Sequence, residues 1–229
     1  MVVQPLLFGI GTAIPLVLGA AIGVSLSPPR RIVGALLAFA SGALLTGLAF
    51  ELFEPAFRIA GPVLGGAALF AGTGLYVAVK RRADAGEVPS GFPLLAAVVF
   101  DGTAENLTLG ISILGGSTGG SLAVLVGIAA NNFPEAVAGA EAMTRSGRSR
   151  PWTFAVWTAS AVGLAAVVVF GYVAFSGVGE TVLALVRAGG GGAVLASLAV
   201  EIMPDAYREG GPTVAFATAA GLLVTFLLV

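Results

Sequence analysis

Long apolar runs, broken by short polar or Gly/Pro stretches, occupy nearly the whole chain. Reading between the breaks gives eight runs, at 5–26, 32–53, 62–79, 92–114, 120–143, 152–175, 184–204 and 212–229. Each approaches the roughly 20 residues that a helix needs to cross a bilayer. The seventh has the weakest edges, because Arg187 and the Gly189–Gly192 run interrupt it; the eighth is short and runs to Val229. Met1 to Leu7 carries no basic residue, so the first run reads as a retained helix and not a cleaved leader. The pattern predicts an all-α membrane protein with eight transmembrane helices, forming one domain over 1–229.

Composition removes most other classes. Of 229 residues, 57% are hydrophobic and 10% charged, and the mean hydropathy is +1.01. A soluble domain carries about 25% charged residues, and disorder requires low hydrophobicity with high charge. A net charge of -1 offers no basic surface for nucleic acid. With neither cysteine nor histidine, the chain has no disulfide, thiolate or imidazole. Any chemistry falls to carboxylates, amides, hydroxyls and backbone.

Basic residues predict the topology. The loops after runs one, three, five and seven hold Arg30, Arg31, Lys80, Arg81, Arg82, Arg145, Arg148, Arg150 and Arg208, nine of the 11 Lys and Arg. The positive-inside rule makes those loops cytoplasmic and puts both termini outside. The expected setting is a cell (cytoplasmic) membrane, with the lipid bilayer as the main partner.

An internal repeat is visible at an offset of 150. SGALLTGLAFELFEPAFR (41–58) aligns without gaps on GGAVLASLAVEIMPDAYR (191–208), matching Gly42 to Gly192, Glu51 to Glu201 and Arg58 to Arg208. Gly61-Pro62 then pairs with Gly211-Pro212. Runs two and seven cross in opposite directions, so the repeats are expected to be inverted: runs 1–3 and 6–8, with 4 and 5 between them, a 3+2+3 arrangement. Such repeats are a transporter architecture with a site near mid-membrane and rocking of one repeat-containing bundle against the other.

Runs four and five carry the polar residues at mid-span: Asp101-Gly-Thr-Ala-Glu105-Asn106 and Asn131-Asn132-Phe-Pro134-Glu135. Asp101 and Glu105 are i, i+4 on one face, extended by Thr108 and Ser112; Asn131 and Glu135 are also i, i+4. Three uncompensated mid-membrane carboxylates cost about 7–10 kcal/mol. A divalent cation held by carboxylate and amide oxygens offsets that cost. Pro134 cannot donate to the Ala130 carbonyl, which adds a further oxygen and a point for a kink. Two other readings stay open: a membrane Asn commonly serves a helix–helix hydrogen bond, and the carboxylates could be protonated and bonded to one another.

Asp101–Glu105 with Asn131–Glu135 resembles the His-Asn-x-Pro-Glu-Gly signatures in helices 4 and 5 of the ZIP (Zrt/Irt-like) metal transporter family. Residues 40–55 are similar to the family's helix 2 and Gly191 to Ala206 to its helix 7. The resemblance implies a divalent metal transporter of the zinc, iron or manganese class, working toward the cytoplasm. It places Asp101, Glu105, Asn131 and Glu135 around the main metal site with Asn132 beside it. The departures are specific: Asp101 and Asn131 stand where the family has histidine, and Leu164 and Ala165 fall where helix 6 has Glu-Pro, which removes a ligand from a second metal site. An oxygen-only ligand set suits Mn²⁺ or Fe²⁺ at least as well as Zn²⁺.

The metal is cargo; no organic cofactor and no enzymatic activity are expected. A homodimer is one open assembly. The rivals are a degenerate relative coupling protons to another solute, and an intramembrane metal-assisted hydrolase, which lacks a nucleophile–base pair. Glu51 and Glu201 read most simply as solvated helix-end carboxylates, with a cation gate as the alternative. Glu141, six residues past Glu135, is a candidate for an exit. Glu54, Arg58, Asp205 and Arg208 read as interfacial charges. Gly115–Gly120 has a phosphate-loop composition but no P-loop lysine, and reads as a flexible turn.

Overall fold

The computed structural model describes residues 3–26, 29–84, 93–114 and 118–227, and every regular element among them is a helix. In chain order these are α1 (Val3–Ser25), α2 (Arg30–Gly47), α3 (Glu54–Asp84), α4 (Pro93–Ser112), α5 (Thr118–Arg145), α6 (Arg150–Phe175), α7 (Glu180–Ser197), α8 (Met203–Gly210) and α9 (Val214–Phe226). Short π-helical turns, Leu48–Phe53 and Leu198–Ile202, join α2 to α3 and α7 to α8.

Six stretches among the described residues are long and apolar enough to cross a membrane: Val3–Ser25, Arg30–Phe50, Glu54–Arg82, Ser121–Arg145, Arg150–Phe175 and Glu180–Phe226. They make this a multi-pass membrane protein. The last, at 47 residues, takes in the seventh and eighth runs read from the sequence. As one straight helix it would be about 70 Å long, more than twice the bilayer core, and it is broken at Gly211. The fourth run is not among the six; α4 has only 20 residues and carries Asp101, Thr103, Glu105 and Asn106. Outward faces are apolar: Val63, Phe70 and Phe216 are 80%, 74% and 81% exposed, as lipid contact demands of side chains that water would reject.

The helices pack as one group of four and two pairs. The group joins α1, α4, α5 and α6, with Leu16, Trp157, Leu164 and the small Ala136 and Ala140 in its core. The others form two pairs, α2 against α9 and α3 against α7, which meet each other through the π-helical turns. Glycine makes both of these contacts close: a Cβ on Gly42 would collide with the Thr218 carbonyl, and one on Gly192 with the Leu69 carbonyl. Without a hydrophobic drive between helices in lipid, such close approach is the main source of packing energy. Contacts of α2 with α5 and of α4 with α7 tie the groups together around Leu44, Leu48, Ile128, Val194 and Leu198.

Features recur 150 residues apart. The π-helical turns start at Leu48 and Leu198. Gly61 (φ 77°, ψ 163°) and Gly211 (φ 68°, ψ -164°) both break the helix in a backbone region that only glycine occupies readily. Burial follows: Val33 and Leu183 are each 8% exposed, Leu44 and Val194 each 2%. The third run begins earlier than its hydropathy suggests, since α3 starts at Glu54 and bends at Gly61. The seventh also begins earlier, at Glu180, so Arg187 lies inside α7 and is 4% exposed.

Candidate polar site between α4 and α5

Pro93 opens α4, where its missing N–H has no helical partner to lose. Along α4, Thr103 and Asn106 donate to the carbonyls four residues back, Val99 at 2.6 Å and Gly102 at 2.7 Å. Such local bonds let polar side chains sit in an apolar setting. α5 runs on as one helix through the buried Pro134.

Glu105 and Asn131 face each other across these helices. Glu105 is 1% exposed and Asn131 is fully buried, and the Asn131 amide donates to Glu105 Oε1 at 3.5 Å. Among the described residues, Asn131 Oδ1 accepts no hydrogen bond. Glu105 also borders a gap of about 10 Å³ against Leu44, Leu48, Ile128 and Val194, at the lower limit for one water. The pair therefore sits in a tightly packed interior. Glu135, one turn beyond Asn131, is half-buried. Asp101 lies on α4, but its side chain is outside the described residues. Among the described residues no three Asp, Glu, His or Cys side chains converge as a metal-holding group.

Asn132 turns away from that pair. Its amide donates to the Thr12 carbonyl of α1 at 2.9 Å, and its Oδ1 accepts no hydrogen bond among the described residues. The Thr12 hydroxyl lies 2.7 Å from Asn106 Oδ1 and 2.9 Å from the Gly9 carbonyl, with one proton to give. Thr12, Asn106 and Asn132 thus knit α1, α4 and α5 into one unit behind the Glu105–Asn131 pair. Thr12 and Asn106 were not among the residues expected at the site. Asn106 stood in the polar run of α4, but a lone Thr within the apolar α1 gives no signal.

Arg187 is the other surprise. It projects from α7 and donates to the Ile111 and Ser112 carbonyls at the end of α4, at 3.2 and 3.5 Å. The Ile111 carbonyl also accepts from the Leu114 N–H at 3.1 Å; both carbonyls lie at the negative end of the helix dipole, so a guanidinium there is stabilising. Ser112 continues the polar line of α4 by bonding Ser121 of α5 at 3.4 Å. Thr108, Ser112 and Ser121 are all at least 97% buried.

Several other carboxylates are paired. Lys80 and Glu201 form an ion pair between α3 and the turn after α7, with side chains 24% and 18% exposed. Glu54 pairs with Arg58 along α3, and Asp205 lies 2.8 Å from Arg208. Glu141 pairs with Arg145. The Glu51 side chain and residues 115–117 of the glycine-rich turn lie outside the described residues. Compared with models of known families and with curated proteins, the chain matches none.

Proposed function

We propose that this chain is a ZIP-like transporter that carries a divalent metal cation of the zinc, iron or manganese class into the cytoplasm. In this reading eight helices cross the membrane in a 3+2+3 order with inverted repeats, and both termini are outside. Glu105 and Glu135 are the central ligands, Asp101 and Asn131 complete the shell, and Asn132 holds the shell to α1.

One observation carries the proposal: a buried carboxylate faces a buried amide whose oxygen accepts nothing among the described residues. Rotating the Asn131 amide half a turn exchanges its nitrogen and oxygen. The same side chain then donates to Glu105 when the cation is absent and offers Oδ1 as a ligand when it is present. Two hard oxygens on adjacent helices match a divalent cation and offset the cost of an ionised carboxylate at that depth. The tight packing means the cation must shed water on entry, or the helices must part to admit it. The group of α1, α4, α5 and α6 carries the ligands as a unit, and movement against α2, α3, α7 and α9 exposes them to either side. Each group draws on both repeats, so the moving unit is not one repeat.

Uptake of Mn²⁺, Fe²⁺, Zn²⁺, Cd²⁺ and Mg²⁺ into proteoliposomes tests this, with wild type beside the Glu105→Ala, Glu135→Ala double variant. Saturable uptake that falls to the empty-liposome level in the variant is expected. Wild-type uptake no better than empty liposomes for every ion would sink it.

A further inference from the structure

The cavity where α1, α5 and α6 end has the wrong charge for a cation route. Its volume is about 470 Å³, and its polar lining includes Glu141, Thr144, Arg145, Arg148, Ser149 and Arg150. Glu141, a sequence candidate for a cation exit, is its one carboxylate against three guanidinium groups. That carboxylate is paired with Arg145, which still leaves the Arg145 side chain 65% exposed. Divalent cations are repelled from such a space, and anions are drawn to it.

The walls fit a phosphate group. The Arg148 guanidinium sits over the Trp152 ring, 5.2 Å from its centroid, which holds the planar fork in place. Guanidinium forks match phosphate oxygens in bidentate geometry and are more weakly hydrated than ammonium groups. Ser149 precedes α6 without spending its side chain on a capping bond. The volume falls in the range of small-molecule sites. Trp152 belongs to the residue type that settles at headgroup depth, and basic pockets between membrane helices hold anionic headgroups.

We propose that this cavity binds a phosphate-bearing anion, supplied by the headgroup of an anionic phospholipid in the adjoining leaflet. Its charge and shape are independent of which solute the α4–α5 site takes.

The purified full chain, titrated with phosphatidylglycerol, phosphatidylcholine or inorganic phosphate, tests the assignment through tryptophan emission. Of the two tryptophans, Trp157 is fully buried in the core, so Trp152 reports on the cavity through its contact with Arg148. A saturable response to phosphatidylglycerol about tenfold tighter than to phosphatidylcholine is expected. The Arg148→Gln, Arg150→Gln double variant should lose that preference, while Arg81→Gln, Arg82→Gln, which removes equal charge elsewhere, should keep it. Displacement of the lipid response by inorganic phosphate at lower concentration assigns the same phosphate site to a soluble source. Equal loss in both double variants, or no preference in wild type, overturns the site in favour of diffuse leaflet charge. Should the first variant fail to fold, phosphatidylglycerol retained by the wild-type chain through purification, measured against phosphatidylcholine by mass spectrometry, decides the matter; no enrichment overturns it.

Discussion

Leu37 of α2 and Arg187 of α7 hold matching places 150 residues apart, and both are buried, at 6% and 4% exposure. Leu37 packs into the core beside Leu44, Leu48 and Ile202. Arg187 reaches across to the last carbonyls of α4. The helices around them share π-helical turns, left-handed glycines and close glycine contacts. The chemistry differs although these backbone features recur. A duplicated frame thus fixes where a side chain sits, and a single substitution decides whether that place is filler or a charged tie between α7 and α4.

The comparison breaks first at its glycines. Gly42→Leu drives a side chain into the Thr218 carbonyl of α9, and Gly192→Leu drives one into the Leu69 carbonyl of α3. Neither backbone can yield without separating two helices. Each substitution is expected to cost about 3 kcal/mol, the upper end for overpacking. Unfolding midpoints in detergent should fall together. If only one of the pair is destabilised, the two contacts are not equivalent.

A smaller effect separates the halves by chemistry. Arg187→Met keeps most of the apolar length but strips both α4 carbonyls of a charged donor, for an expected loss of about 2–3 kcal/mol. Leu37→Met conserves volume at the matching position and should cost below about 1.5 kcal/mol. Unfolding in graded denaturant compares them directly. Equal losses would mean that Arg187 serves as packing alone.

Much of this was legible in the sequence because lipid imposes a simple rule. Every backbone group must be satisfied within its own segment, so apolar runs of bilayer length read as helices. The offset of 150 was visible from Glu51, Glu201 and the two Gly-Pro steps, and the matching bends lie at those glycines. Arg187 was harder: a charge beside a glycine run reads as a boundary, and only the end of α4 packed against it makes it an interior residue. The polar runs of α4 and α5 marked the Glu105–Asn131 pair, but not that neighbouring Asn132 turns the other way, toward α1. One step in a helix rotates a side chain by about 100°, and which neighbour it meets depends on the packing of a third helix. Thr12 carried no signal because one hydroxyl in an apolar helix ordinarily bonds its own backbone.

The finest test concerns conformation without contact. Gly61 and Gly211 have positive φ with nearly extended ψ, and nothing lies within 4 Å of a Cβ built on either. Alanine therefore meets no obstacle at these positions and is opposed only by its own backbone sterics, worth about 2 kcal/mol for this region. Gly61→Ala and Gly211→Ala should each lower stability by that amount. Because the sites share no partner, the double variant should lose the sum. Thermal unfolding of the two singles and the double checks both statements. A single variant that matches wild type would show that its helix can straighten through the bend, and that the break is needed in only one half.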